Sequence, residues 1–125
     1  MTKLDWYPTK KYSVSGEFGQ ESIKNEDYVI YDNTYLKNFV VSEVKLFAGK
    51  KTYKHIHPGN EEVYLFHSGQ GYMMLDGKKI YCNPGDIVSV RDKEHQVFAH
   101  PEADMSFTMV YDNRAPDKFK DEWKK

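Results

Sequence analysis

The sequence is short of the residues that staple small or secreted domains together. Cys82 is the only cysteine among 125 residues, which excludes an intrachain disulfide and any zinc site built from several thiolates. No apolar run approaches the length of a membrane span, and the opening MTKLDWYPTKKYS has no apolar core of a secretion signal. An excess of charge of either sign is also missing. Lys and Arg total 18 against 19 Asp and Glu, a net charge of -1, so no global field draws the chain to nucleic acid or to an anionic membrane. These absences predict a soluble cytoplasmic protein whose partner is a small molecule.

Aromatic residues are abundant: ten Tyr, seven Phe and two Trp make up 15% of the chain. That content argues against disorder and, through the strand preference of aromatic side chains, for sheet. A chain of 14.7 kDa is one domain and buries roughly two-thirds of its accessible surface on folding. Residues 1–23 read as a polar arm or edge segment with anchors at Trp6, Tyr7, Tyr12 and Phe18. The barrel segment runs from about 26 to 112, and 113–125 form a charged tail with Phe119 and Trp123. The arm has too few apolar residues to fold alone, which predicts a homodimer formed by strand addition.

Between Tyr28 and Tyr111, short β-rich runs alternate with turn signals such as Asp32-Asn33, Pro58-Gly59-Asn60, Ser68-Gly69, Asp76-Gly77 and Asn83-Pro84-Gly85-Asp86. Several short strands at this spacing predict an all-β sandwich or barrel. The clearest hairpin joins Gly71–Leu75 to Lys78–Cys82 through Asp76-Gly77, a pair suited to a type I′ turn. Met105, Phe107, Met109 and Tyr111 alternate onto one strand face and predict a core wall. Met73, Met74 and Cys82 are also expected in the core.

The chemistry gathers on few residues. His55 and His57 are two apart in a predicted strand, so both imidazoles face one side. Glu62 follows a turn and opens the run Val63-Tyr-Leu-Phe, and His95 opens another, Gln96-Val-Phe-Ala. Three imidazoles and a carboxylate suit one divalent transition metal (Fe, Mn, Ni, Co or Zn) and leave coordination positions open; no organic cofactor is indicated. An H-x-H alone is a common surface pair, so the weight rests on the whole set. His67 and His100 each lie five residues from a candidate ligand, hence on the opposite strand face, and are expected to be structural.

Gly49-x5-His55-x-His57-x4-Glu62-x6-Gly69 resembles the first motif of the cupin superfamily, and Pro84-Gly85-Asp86 leading to His95 resembles the second. Val90 and Asp92 stand where the second motif has proline and glycine, and Ala99 where it has a late asparagine. Asp92 is compatible with a turn, since Asp tolerates positive φ. The resemblance spans about residues 40 to 110. It implies a single-domain antiparallel β-barrel, the double-stranded jelly roll, of six to eight strands, with His55, His57, Glu62 and His95 as metal ligands near its mouth. Glu62 is preferred to Glu61 because it keeps the motif gap and shares parity with Tyr64 and Phe66.

Three functions stay open. The resemblance to small cupins of carbohydrate metabolism implies a metal-dependent isomerase or epimerase of a sugar, sugar phosphate or nucleotide sugar, with Tyr53, Tyr64 or Glu61 as candidate bases. The same ligands would serve an Fe or Mn dioxygenase or decarboxylase of a small organic acid. The third is a non-enzymatic module that binds a small ligand.

Overall fold

In a computed structural model, the described residues are 19–54 and 61–112, and they form nine strands. These are β1 (Gln20–Lys24), β2 (Tyr28–Asn33), β3 (Phe39–Leu46), β4 (Glu61–Ser68), β5 (Gly71–Leu75), β6 (Lys78–Cys82), β7 (Ile87–Arg91), β8 (His95–Ala99) and β9 (Met105–Asp112). Among the described residues, no helix is long and apolar enough to cross a membrane.

Alternation along the strands decides which face is buried. On β3, Val40, Ser42, Val44 and Leu46 turn inward, and on β9 Met105, Phe107 and Met109 do so, each at most 4% exposed. The strands assemble into a six-stranded sheet of order β1-β2-β3-β9-β4-β7 and a three-stranded sheet of order β6-β5-β8. Among the described residues, every strand pair is antiparallel. The core lies between the sheets. Val44, Leu46, Tyr64, Phe66 and Phe107 from the larger sheet meet Met73, Cys82, Val97 and Ala99 from the smaller. Full burial of a side chain such as Phe107 contributes about 1.5–3 kcal/mol.

The all-β jelly-roll expectation is met, with nine strands where six to eight were expected. The extra strand comes from the arm: Gln20–Lys24 pairs with β2 as the edge of the larger sheet. An edge strand needs little apolar content, and of β1 only Ile23 packs on the core. The other aromatic anchors of the arm and tail, Trp6, Tyr7, Tyr12, Phe18, Phe119 and Trp123, lie outside the described residues. The Asp76-Gly77 hairpin forms as expected, with φ of 51° and 82° at its two turn residues, the left-handed pair of a type I′ turn. Asp92 takes a φ of 53°, adopting the conformation its motif glycine would. Gly69 is required for two reasons: its φ is 75°, and a Cβ there would stand 2.2 Å from the Asp104 carbonyl oxygen.

Two expectations need correcting. Met74 is half-exposed rather than core, because it neighbours the buried Met73 on one strand and alternation turns it outward. Asp32-Asn33 is not a turn but the end of β2, paired with Ser42 and Val41. Cys82 is buried as expected, and burial pushes its thiol up to about 11.

The outer face of the larger sheet holds a buried carboxylate. Thr108 Oγ1 donates to Glu43 Oε2 at 2.7 Å, and His67 Nε2 stands 2.5 Å from the same hydroxyl. His67 is therefore the structural histidine its parity predicted. Burial pushes the Glu43 carboxyl up to about 7, partly offset by the Thr108 hydrogen bond. In the unfolded chain a Glu titrates near about 4.3. Between these values the unfolded state releases a proton that the folded state keeps. Stability therefore falls from about pH 4.3 to about pH 7 and levels off above. Glu43→Gln should remove this loss. Its denaturant midpoint should exceed that of wild type at pH 8 and approach it at pH 4. An equal shift at both pH values contradicts the assignment.

Candidate metal centre

Glu62 is the second residue of β4 and points inward with Tyr64 and Phe66, all three at most 5% exposed. Glu61 is exposed on the opposite face, as parity required. β4 pairs in regular register with β7 on one side and β9 on the other at Glu62, which fixes that choice from both edges. His95 opens β8 in the smaller sheet and is 2% exposed. Its Nε2 lies 2.6 Å from Glu62 Oε2, so the two side chains meet across the gap between the sheets.

The protonation of that contact is constrained. His95 Nδ1 is 2.7 Å from the Lys93 carbonyl oxygen, which can only accept. Nδ1 therefore carries a proton, and in a neutral ring Nε2 presents its lone pair to Glu62. A lone pair and a carboxylate oxygen at this distance require a cation between them, either a proton or a metal ion. A backbone carbonyl that fixes the tautomer of an imidazole is also the usual support of a metal-binding histidine. The donor set thus fits a divalent metal. His55 and His57, the other two expected ligands, lie outside the described residues, and among the described residues there is no group of three or more metal-binding side chains.

Lys54 and Glu61 are the described residues that flank that segment. Lys54, at one end, has its Nζ 3.8 Å from Glu94 Oε1, next to His95. Glu61, at the other end, is adjacent to Glu62.

The three candidate bases fare differently. Tyr64 is 1% exposed, with its ring edge-on to His95 at 5.7 Å, and burial pushes its hydroxyl well above the usual phenol range. It is a wall behind His95, unable to take a proton. Glu61 faces outward, away from the pair. Tyr53 is half-buried in an open cleft with Asn25, Asp27 and Gln96.

Sequence reasoning passed over a polar row on the inner face of the larger sheet. Tyr111 of β9 sits opposite Glu62. Its phenol is pushed up to about 12 by burial, then by the Asp32 charge, with a Ser42 hydrogen bond acting against them and Glu62 adding to them. The Ser42 hydroxyl donates to Asp32 Oδ1 at 2.6 Å. Strand parity was the signal available, since Ser42 alternates with Val40 and Val44. Asp32 was hidden because Asp-Asn reads as a turn.

The cupin domain family profile matches residues 42–111, more than half of the chain, and the protein belongs to that family. No curated protein sequence matches it. Among solved structures, an uncharacterized conserved protein with a double-stranded β-helix domain from Klebsiella pneumoniae superposes with a TM-score of 0.74 at 19% identity, covering 86% of this chain and 94% of the other. KdgF from Halomonas sp. gives 0.72 at 18% identity, covering 88% and 99%. A cupin-2 domain from Rhodospirillum rubrum, Rru_A2000, gives 0.67 at 13% identity over 72% of this chain, which spans 62% of that structure's length. At these identities the likeness is one of fold.

Glu62→Gln should weaken binding of Co(II) or Zn(II) by about tenfold or more, since a charged ligand is lost. Glu61→Gln should leave affinity unchanged in calorimetric titration. Equal losses would overturn the inward assignment of Glu62.

Proposed function

We propose that this cupin is a divalent-metal enzyme that isomerises or epimerises a sugar or sugar derivative. The Glu62–His95 contact at 2.6 Å carries the reading, because it sets a carboxylate oxygen and an imidazole nitrogen, donors that suit a divalent metal, side by side inside the barrel. His55 and His57 would complete the ligand set, which is the role their cupin motif implies. A bound divalent metal would supply Lewis acidity, polarising a carbonyl and its neighbouring hydroxyl.

The inner face of the larger sheet favours an oxygen-rich substrate. Tyr111 lies across from Glu62, and Ser42 on β3 and Asp32 on β2 carry polar groups further along that face, where a barrel built only for packing would hold apolar side chains. Tyr111, with its phenol pushed up to about 12, stays protonated at neutral pH and, with Ser42 and Asp32, makes part of this face polar. Asp32 is the inward carboxylate beyond the ligand set and is assigned as the group that accepts the substrate proton. Ser42 orients it through the 2.6 Å hydrogen bond. The buried wall of Tyr64, Phe66 and Phe107 excludes water behind the site.

Protein purified without chelator should carry near-stoichiometric divalent metal by elemental analysis and interconvert aldose and ketose sugars or sugar phosphates without consuming dioxygen. Asp32→Asn should lower turnover by about a hundredfold or more at unchanged metal content, the scale of a lost general base. His57→Ala should lose the metal while staying folded. Metal-dependent oxygen uptake, or turnover in Asp32→Asn equal to wild type, would refute this reading.

A further inference from the structure

The outer face of the smaller sheet carries a second constellation, outside the barrel. Register aligns Tyr81 of β6, Tyr72 of β5 and Phe98 of β8 in one row, and Lys51 extends the row through a bridge to Phe98. Tyr72 and Phe98 stack at 4.7 Å and 15°. Lys79 Nζ lies 4.3 Å from the centre of the Tyr72 ring, and Tyr81 stands edge-on to Tyr72, 71% exposed. This face lies opposite the one that holds His95, since Tyr72 and Phe98 alternate with the buried Met73 and Val97.

At one end of the row is an open cleft of about 290 Å³, whose lining includes Gln70, Tyr72, Lys79, Tyr81, Asn83 and His100. Among the described residues, no carboxylate lines it. Its polar groups point to one sign of ligand. The Glu102 backbone N–H donates to His100 Nδ1 at 3.1 Å, which leaves the ring proton on Nε2, a donor. Gln70 Nε2 donates to Asn83 Oδ1 at 3.1 Å, so that acceptor is already used and the Asn83 amide is left to donate. Lys79 adds an ammonium held in place by the tyrosine ring beneath it. Aromatic walls with cationic donors and no acid suit a negative group mounted on a ring that has an apolar face.

We propose that this cleft is a second small-molecule site, distinct from the barrel interior, that binds a carboxylate borne on a six-membered ring, with Lys79 pairing the carboxylate and Tyr81 packing on the ring. The chemistry is shared by sugar acids and by aromatic acids. Glucuronate and benzoate are therefore the two probes, with glucose as the neutral control.

Amide NMR titration of the full chain tests it. Saturable shifts in the millimolar range should cluster at residues 70–72, 79–83 and 98–101 for at least one of the two acids, and the stronger acid identifies the source. Glucose should shift the same amides at least about fivefold more weakly. Lys79→Met, which keeps the apolar stem, should weaken the acid by about tenfold, the scale of one charge-assisted hydrogen bond. Tyr81→Ala should weaken it as well. His57→Ala, which disables the barrel site, should leave these shifts intact, so the two sites fail separately. The proposal is overturned if neither acid shifts these amides, if glucose matches them, or if Lys79→Met titrates as wild type. It is equally overturned if light scattering shows a dimer that Tyr81→Ala dissociates, since the face would then be a protein interface.

Discussion

Glu62 and His95 come from different sheets and meet in the interior, and the rest of the site is arranged around that meeting. A buried carboxylate facing the lone pair of an imidazole is unfavourable unless a positive charge lies between them. The structure imposes the contact from both sides. β4 is held by β7 and β9, which fixes Glu62 inward, and the Lys93 carbonyl fixes the His95 ring and its tautomer. Tyr64, edge-on to the imidazole, closes the space behind it. A proton satisfies the pair when no metal is bound, and a divalent cation satisfies it with stronger chemistry.

The two faces of the larger sheet illustrate how burial sets the role of an ionisable group. Inside, Glu62 has a partner of complementary chemistry across the core. Outside, among the described residues, Glu43 has a threonine hydroxyl in direct contact and His67 beyond it, 3.8 Å from its carboxylate. Desolvation then dominates and holds its proton to about pH 7. The difference lies in what stands opposite each carboxylate, and strand register determines that.

Much of the fold was legible in the sequence because its signals are local and periodic. Asp76-Gly77 specifies its hairpin, and Met105, Phe107 and Met109 alternate onto the buried face as written. Glu62 could be separated from Glu61 by parity alone. What escaped the sequence depended on context. β1 is polar because an edge strand has one partner and little core to cover, so Gln20–Lys24 gave no apolar signal. Asp32 sits in a dipeptide that usually turns, yet its pairing with β3 keeps it extended and aims it inward beside Ser42. The failure of Tyr64 as a base was likewise hidden, since sequence shows that a tyrosine faces inward but not that it is sealed from solvent. Pairing between distant strands also made the aromatic row of Tyr81, Tyr72 and Phe98 invisible before the register was known.

The protonation of His95 is the most direct point of test. Long-range proton–nitrogen NMR of the imidazoles reads which ring nitrogen bears hydrogen and which binds metal. Nδ1–H is expected on His95 with and without Zn(II), with a large change in the Nε2 resonance alone when the metal is added. A proton on Nε2 with Nδ1 bare, or an Nε2 resonance that ignores saturating Zn(II), would contradict it.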